Sequence, residues 1–285
     1  MTPRSRFVQA GGVRLHYLEW EGNGPPAVLL HATGLCAGVW TALAASLAPA
    51  FHGYAFDQRG HGDSDKPEGP YVWDHLGQDL AAAADALGLR RALLVGHSSG
   101  GVAVLHAAAL RPDLAWRLIL VEPTLLADDA AQPPERSASG MAERTRQRRA
   151  VWDSLEQVTE TLRARDLFRP WREDLYLAYI QHGTRRLPDG RVALKCPPEV
   201  EAQYYELRPR FDAWPYVAQV RCPILLINGA RSHLVRPQSP TLRRFLELAP
   251  QARVAWVEGA GHMVPQERPD EVARLVWDFV RQGAE

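Results

Sequence analysis

The chain has 285 residues, which is enough for one large domain or for one domain with a substantial insertion. Hydrophobic residues make up 46% of the sequence and charged residues 23%, a balance that is typical of a soluble globular enzyme and excludes a disordered or collagen-like chain. The 33 basic and 33 acidic residues cancel, so no net field would attract nucleic acid or an acidic membrane surface. We expect neither as a partner.

The stretch of residues 7–20 is interrupted by glycine, arginine, histidine and glutamate, whereas a signal peptide needs a continuous apolar region. The sequence also has no run of about 20 apolar residues, the length of a membrane span. Cys36, Cys196 and Cys222 form no CxxC pair and are odd in number, which suits a reducing compartment better than a disulfide scaffold. We therefore predict a cytoplasmic protein that is a monomer or a homodimer.

Short apolar runs alternate with helical patterns along most of the chain. Runs of four to eight apolar residues are typical of strands that are buried on both faces of a parallel sheet. The predicted strands are residues 13–20, 27–30, 53–56, 92–95, 118–121, 224–227 and 254–257. The predicted helices are residues 39–47, 73–87, 102–110, 240–248 and 269–280. This order predicts an α/β fold with a doubly wound, mostly parallel sheet.

One long segment breaks this alternation. Residues 124–215 contain no strand-like run followed by a glycine turn, and they are rich in charged helical sequence and in aromatic side chains. We interpret them as an α-helical cap inserted into a core of residues 1–123 and 216–285. The basic run at residues 144–149 has acidic neighbours, so we interpret it as a solvated, salt-bridged cap helix and not as a nucleic-acid contact.

The sharpest local motif is Gly96-His97-Ser98-Ser99-Gly100, between a predicted strand and a predicted helix. Two glycines permit a tight turn that presents the central serine at the carboxyl edge of the sheet. The amino terminus of the following helix favours developing negative charge. We predict that Ser98 is a catalytic nucleophile.

A serine hydroxyl needs a base. His262 lies in a glycine-flanked loop between the last predicted strand and the last helix, which places it at the same sheet edge as Ser98, and we predict that it is this base. His31 and His61 lie in the neighbouring loops, where we expect them to brace the backbone by hydrogen bonds. The sequence has no HExxH motif and no Cys/His cluster, so we predict no metal site.

Acyl transfer also needs backbone donors for an oxyanion. We predict that the amide of Ser99, in the first turn of the helix after the nucleophile, is one of them. The second should come from the loop after the strand at residues 27–30, and its position favours Thr33.

Together these motifs resemble an α/β-hydrolase with a helical cap. The matching segments are residues 29–34, 57–64, 96–100 and 259–262, with Glu267 and Pro269 behind the last of them. The resemblance spans nearly the whole chain apart from the cap. It implies cofactor-free chemistry with Ser98 as nucleophile, His262 as base, and a substrate pocket between sheet and cap.

The sequence departs from the family at the position of the usual triad acid. That position holds Ser232, and no aspartate or glutamate occurs from residue 213 to residue 246. Some members place the acid after the strand that follows the nucleophile helix, where this sequence has Glu122. We predict that Glu122 completes the triad, with Asp128 and Asp129 as the next candidates.

These residues predict a serine hydrolase that cleaves a carboxylic ester or related acyl compound, with an apolar small molecule as substrate. Cleavage of a carbon–carbon bond in a β-diketone-like compound, or opening of a lactone, would use the same residues. A serine at position 98 argues against haloalkane dehalogenase and epoxide hydrolase chemistry, which in this family uses an aspartate there. A ligand receptor without turnover is the alternative from a different class.

Overall fold

The computed structural model describes residues 2–125 and 137–282. Within these ranges the strands are β1 (Arg4–Ala10), β2 (Val13–Trp20), β3 (Pro26–Leu30), β4 (His52–Phe56), β5 (Ala92–His97), β6 (Ala115–Val121), β7 (Val151–Trp152), β8 (Thr184–Arg186), β9 (Val192–Leu194), β10 (Ile224–Gly229) and β11 (Ala252–Val257). The helices are α1 (Thr41–Leu47), α2 (Asp74–Ala86), α3 (Ser99–Leu110), α4 (Ala138–Arg146), α5 (Leu155–Arg163), α6 (Glu173–Gly183), α7 (Pro198–Leu207), α8 (Trp214–Gln219), α9 (Pro240–Leu248), α10 (Val264–Glu267) and α11 (Pro269–Arg281).

An eight-stranded sheet in the order β1-β2-β4-β3-β5-β6-β10-β11 forms the centre of the molecule. The strands from β4 to β11 in this order run parallel, and β2 pairs antiparallel with both β1 and β4. The predicted fold class, a mostly parallel α/β sheet, is therefore confirmed. Of the eight strands in this sheet, β1 is the one that the sequence did not predict. It is an edge strand, and its first four residues are exposed and show no alternation of polar and apolar residues.

The central strands are apolar along their whole length because helices cover both faces of the sheet. Every residue of β5 and of β10 is buried. The core divides into two clusters, one on each face. Helix α3 is almost entirely buried against the first face. Helix α11 presents Val272, Val276 and Phe279 to the second.

The described part of the predicted cap is mainly helical, with helices α4 to α7. It also carries a three-stranded antiparallel sheet in the order β7-β9-β8, which the sequence did not predict. These strands have two or three residues each, too few to produce a recognisable alternation. The predicted boundary at residue 215 falls inside helix α8, and the division into core and cap stays a prediction. Below, the word cap denotes only the described residues 137–215.

The predicted aromatic residues of the cap pack it onto the core. Phe168, Trp171, Tyr176 and Tyr179 form a cluster of ring contacts, with centroids 5.0 to 5.9 Å apart, and all four belong to the core cluster on one face. On the other face, Tyr204 is buried with the opposite cluster. The cap thus shares both hydrophobic clusters with the sheet.

Parallel strands bring their carboxyl ends to one edge of a sheet, where ligands bind in open α/β folds. The loops after β3, β5, β6, β10 and β11 therefore meet at one edge, and they carry the predicted site residues. Among the described helices, none combines the length and the apolar character that crossing a bilayer requires.

Candidate active site

Ser98 lies in a strained turn between β5 and α3. Its φ is +55° and its ψ is −116°, a conformation that is costly for a residue with a side chain and that concentrates at functional sites. The flanking glycines are required by close backbone approach. A Cβ at Gly96 would collide with the carbonyl oxygen of Gly100, and one at Gly100 would collide with that of Leu30. The turn therefore presents a single hydroxyl at the sheet edge.

His262 lies in the loop after β11 and reaches Ser98 directly. Its Nε2 is 3.1 Å from Ser98 Oγ. The buried His97 donates a hydrogen bond from its Nε2 to the His262 carbonyl, at 2.9 Å. Burial, and next the neighbouring His262, hold the pKa of His97 well below its usual value, so His97 stays neutral and keeps this donor. The predicted nucleophile and base are thus in hydrogen-bond contact.

Glu122 lies immediately after β6 and is fully buried. Its Oε2 accepts a hydrogen bond from His262 Nδ1, at 3.2 Å. The Oε1 accepts another from the Gly229 amide, at 2.7 Å. The backbone of Glu122 also has a positive φ, of 47°, which marks a second strained residue beside the strained serine.

Ser232 occupies the loop after β10 and donates a hydrogen bond to Glu122 Oε2, at 2.6 Å. This oxygen is the same one that His262 contacts. The hydroxyl at the usual acid position therefore contacts the carboxylate that lies in the alternative position, an arrangement that the sequence did not predict. The alternative acids Asp128 and Asp129 lie outside the described residues.

Thr124 is a further polar residue at the site that the sequence did not identify. Its Oγ1 is 2.9 Å from Ser98 Oγ, and its amide donates to the Ser98 carbonyl at 3.4 Å. Its place two residues after Glu122, in the loop that follows β6, was the available signal.

The loop after β3 contains the predicted oxyanion donor Thr33, which lines the cavity above Ser98. The amide of the next residue, Gly34, already donates to His61 Nε2 at 2.9 Å, which leaves it unavailable to a ligand. The second predicted donor belongs to Ser99, the first residue of α3. The two predicted donors thus lie on the loop after β3 and at the start of α3, and their role stays a prediction.

Two buried histidines brace this loop, as predicted. His31 Nδ1 donates to the Ala32 carbonyl at 2.8 Å, and its Nε2 accepts from the Gln58 amide at 3.1 Å. Burial lowers the pKa of His31, and burial likewise lowers the pKa of His61 to about 3. Both rings therefore stay neutral near pH 7 and can accept a hydrogen bond from a backbone amide.

The cap also contacts this loop. Glu201 of α7 lies over Gly34, where an added Cβ would be 2.8 Å from its carboxylate. The Gly34 φ is +81°, so both space and backbone conformation favour glycine. Glu201 forms a buried ion pair with Arg148 and accepts a hydrogen bond from the Tyr205 hydroxyl at 3.3 Å.

A cavity of about 470 Å³ lies between sheet and cap and contains Ser98, Thr124 and His262 in its wall. Its apolar lining includes Trp73, Leu162, Phe168, Tyr179, Leu194 and Met263. Such a volume and lining suit a small organic ligand.

Four arginines also line the cavity: Arg144, Arg148, Arg165 and Arg208. The interpretation of residues 144–149 as a salt-bridged surface holds for Arg146, which pairs with Glu199 and Glu206. Arg148 is also paired, with Glu201, and Arg144 is exposed, but both side chains line the cavity, which the sequence did not predict.

Among the described residues, His16, Asp57 and Asp63 form a group with the spacing of metal ligands. Asp57 Oδ2, however, accepts hydrogen bonds from His16 Nδ1 at 2.7 Å and from the Asp63 amide at 2.9 Å. Its Oδ1 accepts from the Ala37 amide at 2.6 Å. These bonds hold the loop after β4, and we assign the group to that structural role.

Comparison with known proteins relates this architecture to hydrolases. The model of the alpha/beta hydrolase family matches residues 27–275. The chain is 29% identical to N-formylmaleamate deformylase of Pseudomonas putida, with 96% of this chain and 95% of the relative covered. It is 30% identical to pimeloyl-[acyl-carrier protein] methyl ester esterase of Xanthomonas campestris, with 93% and 98% covered.

A third relative is similar in both sequence and structure. The chain is 28% identical to 2-(acetamidomethylene)succinate hydrolase of Mesorhizobium japonicum, over 97% of this chain and 95% of the relative. A crystal structure of E-2-(acetamidomethylene)succinate hydrolase matches with a TM-score of 0.86 and 27% identity, over 98% of this chain and 99% of that one.

The bracing role of His61 predicts a pH-dependent stability. His61→Gln should lower the free energy of unfolding near neutral pH, because the acceptor of the Gly34 amide is disturbed. In the unfolded chain the imidazole ionises near pH 6.5, whereas in the folded protein its pKa is about 3. As the pH falls below about 6.5, protonation of His61 in the unfolded chain therefore removes about 2 kcal/mol of the wild-type stability between pH ~7 and pH ~5.

Glutamine does not titrate, so the deficit of the variant should shrink over this interval. Urea unfolding at both pH values measures it. A deficit that stays constant would contradict the assignment of a neutral, buried His61.

Proposed function

The chain belongs to the alpha/beta hydrolase family, and from this premise we propose that it is a serine hydrolase that cleaves a carboxylic ester or related acyl compound through an acyl-enzyme intermediate. The observation that supports this most directly is the continuous chain of hydrogen bonds from Ser98 Oγ through His262 to Glu122. Nucleophile, base and orienting carboxylate are the three parts that such chemistry needs.

In the proposed mechanism, Ser98 Oγ attacks the acyl carbon while His262 Nε2 takes its proton. Glu122 accepts the Nδ1 proton in a hydrogen bond, which fixes the tautomer and stabilises the imidazolium. The amides of Thr33 and Ser99 stabilise the oxyanion. When the tetrahedral intermediate collapses, the bond to the leaving group breaks and His262 protonates that group. Water, deprotonated by His262, then attacks the acyl-enzyme and releases the acid and Ser98.

The first test concerns the nucleophile. A fluorophosphonate should label the wild type at one site, and Ser98→Ala should abolish the labelling and lower kcat by about 10³-fold or more, because triad members act as a unit. Intact-protein mass spectrometry and turnover of a 4-nitrophenyl ester measure both. The matched control is Ser46→Ala. Ser46 lies outside the site, and its hydroxyl accepts a hydrogen bond from Trp277 Nε1. Labelling that persists in Ser98→Ala, or that maps to Ser99, would contradict the assignment.

The second test concerns the acid. In Glu122→Gln, the side-chain amide can still form hydrogen bonds with Gly229 and Ser232, but it lacks the negative charge that stabilises the imidazolium. We expect kcat to fall by about 10²–10⁴-fold with near-native thermal stability. A variant with nearly wild-type turnover would exclude Glu122 as the acid and leave Asp128 or Asp129 as the acid, or a dyad of Ser98 and His262 alone.

The third test concerns Ser232, for which we propose a positioning role through Glu122. Ser232→Ala removes one of the hydrogen bonds to the buried carboxylate, and such bonds to charged groups are worth about 1.5–3 kcal/mol. We expect kcat to fall by about tenfold with KM nearly unchanged, because Glu122 is less well held against His262. A purely structural role would lower stability without this selective loss of kcat.

A second variant separates charge from geometry at this position. Adding Ser232→Asp to Glu122→Gln should restore part of the lost turnover, because a carboxylate returns to the family's usual position. Ser232→Asp alone should not raise turnover, since two adjacent carboxylates cannot both ionise readily. No rescue in the double variant would contradict a shared role of the two positions.

An N-acyl amide is the second candidate for the cleaved bond. Two of the three relatives are named for compounds with an N-formyl or acetamido group, and both compounds are carboxylates, whereas the third is named for a methyl ester. Lactone opening and β-diketone cleavage use the same proposed residues. A panel of ester, amide, lactone and diketone substrates of equal carbon number, assayed in wild type and Ser98→Ala, separates these alternatives. The receptor alternative is disfavoured, because all three relatives are hydrolases.

A further inference from the structure

The cavity carries a charge imbalance that the chain as a whole does not. The full sequence is neutral, yet four arginines and one carboxylate, that of Glu201, are in the described lining. Because walls of low dielectric focus such a field into the cleft, the cavity attracts an anion.

Part of this charge is already compensated inside the protein. Glu201 pairs with Arg148, and both side chains are largely buried. The Nε of Arg148 is buried without a hydrogen-bond partner in the described part of the chain. The Glu201 carboxylate thus compensates the charge of Arg148, and the remaining positive charge of the cavity wall comes from its other arginines.

Arg144 and Arg165 differ from the arginines on the outer surface of the cap. Within residues 2–125 and 137–282, neither has an acidic partner, although both face the cavity. Five outer cap arginines lie in ion pairs: Arg146 with Glu199, Arg149 with Asp153, Arg163 with Glu173, Arg169 with Asp166 and Arg172 with Asp174. Arg185 and Arg186 form no such pair among the described residues, but they do not line the cavity. Arg144 and Arg165 therefore combine a guanidinium without an acidic partner with a place in the cavity wall.

We propose that the substrate carries a carboxylate remote from the cleaved bond and that Arg144 and Arg165 bind it. This inference rests on the proposed function, since it names the substrate class of the same site. Guanidinium groups match the planar geometry of a carboxylate and bind it through paired hydrogen bonds. The apolar residues of the wall contact the carbon chain between the two ends. The predicted apolar substrate is thereby narrowed to one with an apolar middle and an anionic end.

The test compares three 4-nitrophenyl esters whose six-carbon acyl chains differ only at the far end. One chain ends in a free carboxylate (the adipate half-ester), one in the methyl ester of that carboxylate, and one in a trimethylammonium group. We expect kcat/KM to fall in this order, with the anionic ester favoured over the neutral one by about tenfold or more, mainly through KM. Added salt should narrow the ratio, because Arg144 and Arg165 are exposed enough to be screened.

The variant that tests the residues is Arg144→Gln with Arg165→Gln. Its ratio of anionic to neutral kcat/KM should fall by about tenfold towards unity. Arg185→Gln is the matched control, because Arg185 is an exposed cap arginine on β8 that is not in the cavity wall. The control should keep the wild-type ratio.

The outcomes distinguish the two proposals. Turnover of all three esters at similar rates, lost in Ser98→Ala, would overturn the carboxylate inference and leave the serine hydrolase intact. An unchanged ratio in the double variant would also overturn it. If the wild type hydrolyses none of the esters and no fluorophosphonate labels Ser98, the proposed function fails.

Binding then tests the inference without turnover. Adipate should raise the Tm of the wild type and of Arg185→Gln but not that of the double variant. An equal shift in all three proteins, or none, would overturn carboxylate binding at these arginines.

Discussion

A fully buried carboxylate must be surrounded by donors, because an uncompensated charge in the interior costs several kcal/mol. Glu122 meets this constraint with three partners: the Gly229 amide, the Ser232 hydroxyl and the imidazole of His262. These partners come from the end of β10 and from the loops after β10 and β11, while Glu122 itself follows β6. The Glu122 carboxylate therefore connects three neighbouring segments at this edge of the sheet by hydrogen bonds.

The same constraint relates the two strained residues of the site. Ser98 and Glu122 both have positive φ, and they are joined through the backbone as well as through His262. The Ser98 amide donates to the Val121 carbonyl at 3.0 Å, and the Glu122 amide donates to that of Ile227 at 2.9 Å. The backbone hydrogen bonds between adjacent strands thus continue up to the two strained residues. The sheet can therefore hold both residues in backbone conformations that would relax in an isolated loop.

Much of the core could be predicted from local sequence. Strand β2 and helix α9 have the predicted bounds, because alternation and helical periodicity are local patterns. Ser98 and His262 were accessible for a similar reason, since each lies in a short glycine-containing motif at the end of a strand. Glu122 was predicted from the resemblance, since some family members place the acid after this strand.

The contacts that complete the site were not accessible in this way. Ser232 and Glu122 are 110 residues apart in the chain, and no sequence pattern in either segment predicts the hydrogen bond between them. Arg144 and Arg148 look like ordinary surface residues until the cap is folded over the sheet. The direction of a side chain in an inserted segment depends on how that segment packs on the sheet. Neither composition nor periodicity predicts this packing.

The contact between Glu201 and Gly34 has a consequence for how this fold can be recombined. The carboxylate of the cap fills the space above a glycine of the core and is neutralised by Arg148, another cap residue. A cap exchanged between related enzymes would therefore have to bring a matched pair, a residue of suitable size over Gly34 and a charge to balance it. At this point the cap and the loop after β3 would have to be exchanged together, although Gly34 and Glu201 are far apart in the sequence.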